Sequence, residues 1–121
     1  MLLHSFFTIT KIESNEGSIQ ASIQINRSHR IFEGHFPEVP VVPGVCMIQM
    51  IKEIIQQVDG KAYTLAAGDN IKFLSVLNPD EYGEVEATIL VEENNNLSIT
   101  ATLFAGEVTF LKLKAVLQEG T

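Results

Sequence analysis

Apolar and polar residues alternate along several parts of this chain. From Ser18 to Ile25, apolar side chains occupy every second position and polar side chains lie between them. A period of two predicts a β-strand with one buried face. Residues 84–92 show the same alternation, and residues 97–105 and 107–117 form two more β-prone segments joined by a glycine. Long strands joined by short turns predict an antiparallel meander.

Two other regions have a less regular pattern. Residues 6–12 fit a short helix or a strand, and residues 13–17 contain the turn formers that would join them to Ser18–Ile25 as a hairpin. Residues 63–67 and 70–73 predict one strand interrupted at Gly68. Residues 78–83 are rich in turn formers and predict a loop.

A helix is predicted to begin near Pro43 or Gly44, to run to about Val58 and to end at Asp59-Gly60. Glycine is common just past the end of a helix. Apolar side chains occupy most faces of this segment. A helix of that kind is buried, and in a chain of this size it needs a sheet around it. The predicted fold class is therefore α+β.

The loop before this helix, within residues 26–44, contains the most distinctive residues of the chain. His35 is framed by Gly34 and by three prolines before Gly44. Proline fixes φ and removes a backbone donor, which predicts a rigid loop. This loop would hold one imidazole beside the free backbone N–H groups of a helix start, a combination suited to binding and polarising a carbonyl oxygen.

Residues 34–45, with the sequence GHFPEVPVVPGV, resemble the motif of the (3R)-hydroxyacyl-acyl-carrier-protein dehydratases of fatty-acid synthesis. The fixed positions of that motif are Gly34, His35, Phe36, Pro37, Pro40, Pro43 and Gly44. Residues 68–73 resemble a second, weaker motif of the family. The resemblance extends from about residue 7 to residue 117. It implies the hotdog fold, in which an antiparallel sheet wraps a long helix, as one domain over residues 1–121.

The resemblance also implies a dimer with shared sites, in which His35 and a carboxylate from the other subunit form the catalytic pair. That carboxylate should lie five residues after Gly44, and this chain has Gln49 there. An amide can hydrogen-bond a hydroxyl but does not titrate near neutral pH. Glu53, one turn later on the same helical face, is an alternative acid, although its position beside Lys52 predicts an exposed side chain. Asp69 and Glu38 are weaker alternatives.

Several functions remain open on this basis. The first is a hydro-lyase that dehydrates (3R)-hydroxyacyl thioesters with His35 as acid and base. The second is a non-catalytic acyl-thioester-binding protein, or a partner subunit that pairs with an active paralogue. The third is a thioesterase, which the absence of a carboxylate at Gln49 disfavours. The thioester carrier would be acyl carrier protein or coenzyme A, and the resemblance implies no cofactor and no metal.

The expected substrate-binding residues lie around the helix start. Gly44 and Val45 would offer backbone N–H groups to the thioester carbonyl. An acyl chain would lie along the helix in a tunnel between subunits, where ordinary core packing is the alternative role for each lining residue. The predicted substrate contacts are Phe36, Pro43, Gly44, Val45, Met47 and Phe73. Two further residues predicted to line the tunnel are Met50 and Ile51.

Charge and composition limit the remaining choices. The chain has 121 residues, of which 45% are hydrophobic, enough for one well-formed core. Its net charge of −7 argues against nucleic acid, which calls for a basic face. An acidic carrier protein would need a local basic patch, for which the candidates are Arg27, Arg30, Lys112 and Lys114; solvated surface charge is the alternative.

The cysteine content, the length of the apolar runs and the N-terminal residues bear on the cellular compartment of the protein. Cys46 is the only cysteine, which fits a reducing compartment, and a small buried hydrophobe is a better interpretation for it than a nucleophile. No apolar run approaches the length needed to span a bilayer. The N-terminus has no basic region typical of a signal peptide. The sequence thus predicts a cytoplasmic protein with no membrane partner.

Overall fold

The computed structural model describes residues 2–34 and 40–120. One antiparallel sheet of six strands, in the order β1-β2-β4-β5-β6-β3, packs against one long helix. This arrangement confirms the predicted α+β class and the helix-wrapping sheet. The elements in chain order are β1 Phe7–Asn15, β2 Ser18–Ile25, α1 Ile31–Gly34, α2 Gly44–Asp59, β3 Tyr63–Phe73, β4 Glu84–Glu93, β5 Leu97–Ala105 and β6 Val108–Glu119.

The first hairpin resolves the ambiguity near the N-terminus. Residues 7–15 form a strand rather than a helix, and β1 pairs antiparallel with β2 from Phe7↔Ile25 to Asn15↔Ser18. The turn is shorter than the predicted 13–17, because β1 continues to Asn15. Gly17 adopts φ 77° there, a conformation in which glycine has no steric penalty.

The meander β4-β5-β6 forms as predicted, with boundaries that differ by one or two residues. Each pair is antiparallel. Alternate residues of these strands are buried, as Ile89, Ile99 and Leu113 illustrate, while their neighbours face outward. The period-two pattern therefore identified the face of the sheet that contacts the helix.

Helix α2 crosses that buried face. Its most buried side chains include Met50, Ile51 and Ile54, each with 0% exposure. Its end also agrees with the prediction, because Gly60 adopts a left-handed conformation and its N–H donates to the carbonyl of Gln56. No helix within the described ranges 2–34 and 40–120 is long and apolar enough to cross a membrane.

Two expectations about the loops and strands need correction. A short helix, α1, lies in the stretch predicted as loop, where Phe32 N–H donates to the carbonyl of His29. Strand β3 is continuous across Gly68, and two register shifts against β6, on either side of Gly68, absorb the irregularity. Residues 35–39 of the predicted rigid loop, which include His35 and Pro37, lie outside the described residues.

We expect Ile54→Ala to lower the free energy of unfolding by about 2–5 kcal/mol, because it leaves a cavity between α2 and the sheet. Val58→Ala is the matched control on the same helix, since Val58 is 39% exposed and should lose less than about 1 kcal/mol. Urea unfolding measures both. Equal losses would contradict the placement of Ile54 at the centre of the core.

Candidate active site at the start of the long helix

Helix α2 begins with two backbone donors, the N–H groups of Gly44 and Val45, that no helical carbonyl can satisfy. Pro43 is the N-cap, with extended φ/ψ of −61° and 146°, and its side chain makes no capping hydrogen bond. The carbonyl of Pro43 accepts from Cys46 N at 3.0 Å and Met47 N at 3.2 Å. The N–H groups of Gly44 and Val45 have no partner within the described ranges. Together with the helix dipole they form a site for a carbonyl oxygen or an anion.

The ring of Phe73 covers this helix start. A Cβ added to Gly44 would lie 2.7 Å from Cζ of Phe73, so only glycine allows the ring to lie so close. Phe73 is 51% exposed and Val45 is 75% exposed. The structure thus brings four of the predicted contacts, Pro43, Gly44, Val45 and Phe73, to one partly open corner of the molecule.

The other predicted contacts are separate from this corner. Met47 is 3% exposed, and Met50 and Ile51 are 0% exposed, within the core between α2 and the sheet. Their role in lining an acyl tunnel stays a prediction. His35 and Phe36 lie outside the described residues, so their positions relative to Gly44 stay predictions too.

Gln49 belongs to a short hydrogen-bonded network on α2. Its Nε2 donates to Oε2 of Glu53 at 2.9 Å, and its Oε1 accepts from Nζ of Lys52 at 3.3 Å. These three residues share one side of the helix at spacings of three and four. The amide at this half-buried position thus makes one donor and one acceptor hydrogen bond, which leaves one N–H and one carbonyl lone pair.

The expectation that Glu53 is exposed is wrong. Glu53 is 1% exposed, because the N-terminal segment folds over it. Leu2 N–H donates to both carboxylate oxygens at 2.9 Å, and Leu3 N–H donates to Oε1 at 2.7 Å. These donors, fifty residues away in sequence, satisfy a buried carboxylate that would otherwise be costly. A carboxylate within an apolar helix was the available signal, but the sequence does not identify backbone donors so far away.

The four candidate basic residues have different surroundings, and Arg30 is exposed next to the short helix α1. Arg27 is committed to an ion pair, with Nε 2.8 Å from Oδ1 of Asp80. Lys112 and Lys114 are exposed on the outer face of β6, and Lys72 of β3 lies directly opposite Lys112. The three exposed lysines form a local basic patch on an acidic chain, although like charges facing each other across strands are unfavourable.

Other groups do not add chemistry to the helix start. Cys46 is buried, as predicted, and burial raises the pKa of its thiol, which disfavours the nucleophilic thiolate. Asp69 is exposed on β3. Across residues 2–34 and 40–120, no group of three or more His, Cys, Asp or Glu side chains could hold a metal ion.

Comparison with protein families identifies the chain. A family model described as ApeI dehydratase matches residues 11–109. The chain belongs to the ApeI-like dehydratase family. This match includes both the described start of α2 and the proline-rich segment before it, so the predicted dehydratase resemblance is confirmed at the level of family.

Relatives of the ApeI-like chain include 3-hydroxyacyl-[acyl-carrier-protein] dehydratases. The FabZ protein of Lactobacillus helveticus is 30% identical over 91 residues, which are 69% of this chain and 62% of that protein. The FabZ protein of Ruminiclostridium cellulolyticum is 26% identical over 99 residues, 74% of this chain and 70% of that protein. The chain thus spans about three fifths to seven tenths of the length of these relatives.

Solved structures share the fold of this ApeI-like chain. The dehydratase heterocomplex ApeI:P from Xenorhabdus doucetiae matches with a TM-score of 0.72 and 21% identity, covering 91% of this chain and 96% of that one. A thioesterase superfamily protein from Shewanella loihica matches with a TM-score of 0.59 and 14% identity, covering 92% and 90%. At these identities the matches establish the hotdog fold.

We expect Gly44→Ala to displace the Phe73 ring and to weaken thioester binding several-fold, with little loss of stability because the ring is half exposed and can move. The double variant Gly44→Ala/Phe73→Leu should recover part of the binding, since the shorter side chain removes the clash. Titration with a short acyl thioester and thermal unfolding measure the two effects. Unchanged binding in Gly44→Ala would show that this corner does not contact the ligand.

Proposed function

We propose that this protein removes water from (3R)-3-hydroxyacyl thioesters in fatty-acid or related acyl-chain synthesis. The observation that carries the proposal is the start of α2, where the N–H groups of Gly44 and Val45 are unpaired within the described ranges and the ring of Phe73 lies beside them. Membership of a dehydratase family supports the same reaction class. The proposal includes a cytoplasmic location, where fatty-acid synthesis would supply the substrate.

The proposed reaction uses His35 as both base and acid. The imidazole takes the proton from C2 of the substrate while the Gly44 and Val45 N–H groups stabilise the negative charge on the thioester oxygen. The C3–O bond then breaks, and the imidazolium returns the proton to the departing hydroxyl. Water leaves, a C2=C3 double bond remains, and His35 is again neutral.

Gln49 is expected to limit the rate of this reaction. Its amide cannot supply the proton that a carboxylic acid would give to the hydroxyl. The proton must therefore come from His35, so we expect slower turnover than in a site with an acid at this position. The carrier is acyl carrier protein or coenzyme A, and the exposed Lys72, Lys112 and Lys114 would favour the acidic carrier protein.

We expect His35→Asn to lower kcat by about 10²- to 10⁴-fold, the usual contribution of a positioned acid or base. The assay follows enoyl thioester formation from (3R)-3-hydroxybutyryl-carrier-protein and from the coenzyme A thioester. A lower KM for the carrier-protein form would identify the carrier.

His4→Asn is the matched control for the loss of an imidazole. His4 is exposed and has φ 73°, a conformation that asparagine tolerates, so activity and fold should be retained. If the wild-type protein turns over neither thioester, or if His35→Asn is fully active, dehydration by His35 is rejected.

A second candidate function is that of a partner subunit in a hetero-oligomeric dehydratase. Apolar side chains remain exposed near the helix start, with Val45 at 75%, Val76 at 64% and Leu74 at 51%. Strand β3 lies at the edge of the sheet and pairs only with β6 among the described strands. A long open edge beside exposed apolar residues favours pairing with another chain.

The identity of Gln49 favours a different chain over a second copy. A second copy would bring only another amide to a shared site. A hotdog paralogue with a carboxylate at the equivalent position would supply the missing acid, while this chain would contribute His35. The heterocomplex named for the ApeI:P structure supports an assembly of this kind.

We expect Val76→Asp to prevent pairing, because it places a charge within the exposed apolar area. The test co-purifies the chain with a tagged hotdog chain of the same cell that carries Glu or Asp at the position of Gln49, and compares turnover of the mixture with each chain alone. Leu90→Asp, at an apolar position 53% exposed on β4, is the control that should still pair. A mixture no faster than the sum of its parts would reject the partner-subunit function.

A further inference from the structure

The amide of Gln49 has only one favourable orientation. Its neighbours are an anion, Glu53, which accepts at 2.9 Å, and a cation, Lys52, which donates at 3.3 Å. A carboxylate has no proton to donate and an ammonium has no lone pair to offer. Exchanging the amide O and NH₂ would therefore oppose acceptor to acceptor and donor to donor.

Glu53 is itself fixed from the other side. The N–H groups of Leu2 and Leu3 hold both carboxylate oxygens, at 2.7–2.9 Å, and the residue is 1% exposed. Hydrogen bonds to a charged acceptor are among the stronger ones in proteins. The carboxylate thus forms a rigid support under the half-buried Gln49.

We infer that Glu53 is a positioning residue that fixes Gln49 to present its carbonyl oxygen, so that the site accepts a hydrogen bond from the 3-hydroxyl of the substrate. The inference rests on the proposed function for the identity of that hydroxyl. A 3-oxoacyl thioester has no proton to donate and would leave the amide oxygen without this partner. Glu53 would therefore contribute to selection of the 3-hydroxy substrate without touching it.

The same pairing means that Gln49 and Glu53 act as one unit. Glu at position 49 alone would remove the donor to Glu53 and place a second carboxylate against a buried one, which is unfavourable. Exchanging both residues would restore the pairing, because Gln at position 53 could donate to the new carboxylate through its NH₂ and accept from Leu2 and Leu3 through its one oxygen, with loss of the second contact of Leu2. The site charge would then lie one helical turn closer to the helix start.

The unfolding test compares Gln49→Glu, Glu53→Gln and the double variant Gln49→Glu/Glu53→Gln. Gln118→Glu, at an exposed position on β6, is the control for adding one negative charge. We expect Gln49→Glu to lower Tm by roughly 8 °C or more and the double variant to remain within about 4 °C of the wild type. If Gln49→Glu is as stable as Gln118→Glu, or if the single shifts simply add in the double variant, the pairing is rejected. A Gln49→Glu protein that fails to fold leaves recovery in the double variant as the deciding result.

The binding test measures Kd for 3-hydroxybutyryl and 3-oxobutyryl pantetheine by calorimetry. The wild type should prefer the hydroxyl ligand, and Glu53→Gln should reduce that preference about ten-fold while His4→Asn leaves it unchanged. A purely structural role for Glu53 would weaken both ligands equally, and this result would overturn the inference. If neither ligand binds the wild type, the proposed function fails together with the role toward the hydroxyl, while the unfolding test still decides the pairing.

Discussion

The structure depends on burying a helix that is apolar around most of its circumference. Met50, Ile51 and Ile54 of α2 have no exposure at all, because they face the sheet, and the N-terminal segment covers Glu53 on the same helix. Burial of such side chains supplies the main favourable free energy of folding. It also fixes where the helix begins, and therefore the direction of the N–H groups of Gly44 and Val45.

The polar residues of α2 follow from that burial. A carboxylate inside an apolar contact surface needs donors, and Glu53 obtains them from the backbone of Leu2 and Leu3 and from Gln49. The closing N-terminal segment is thus anchored at the middle of the helix rather than at its end. Glu53 is buried in the core and also hydrogen-bonds Gln49. A change in core packing around Glu53 would therefore also change the orientation of the Gln49 amide.

The apolar side chains that stay exposed indicate a surface for another chain. Val45, Phe73 and Val76 are exposed near the helix start, where the proposed thioester site lies. Strand β3 adds an open edge among the described strands. An isolated chain would pay for this exposure in solubility, whereas a second hotdog chain could cover it and complete the site. Because position 49 holds an amide, the partner chain would have to supply the acid of the site as well as cover the apolar surface.

The sequence by itself determined the elements and the family. Alternation located β2, β4 and their buried faces, the apolar segment ending at Gly60 located α2, and the motif around His35 indicated the dehydratase family. These signals are local, since each depends on residues close together in the chain. Tertiary structure alone decided that Glu53 is buried, that Gln49 is held by it and that Arg27 pairs with Asp80. The contacts of Glu53 with Leu2 and Leu3 and of Arg27 with Asp80 join residues about fifty positions apart, so they form only where the folded chain brings those groups within hydrogen-bond distance. The Gln49–Glu53 pair is local, but the burial that holds its carboxylate in place depends on the same distant donors.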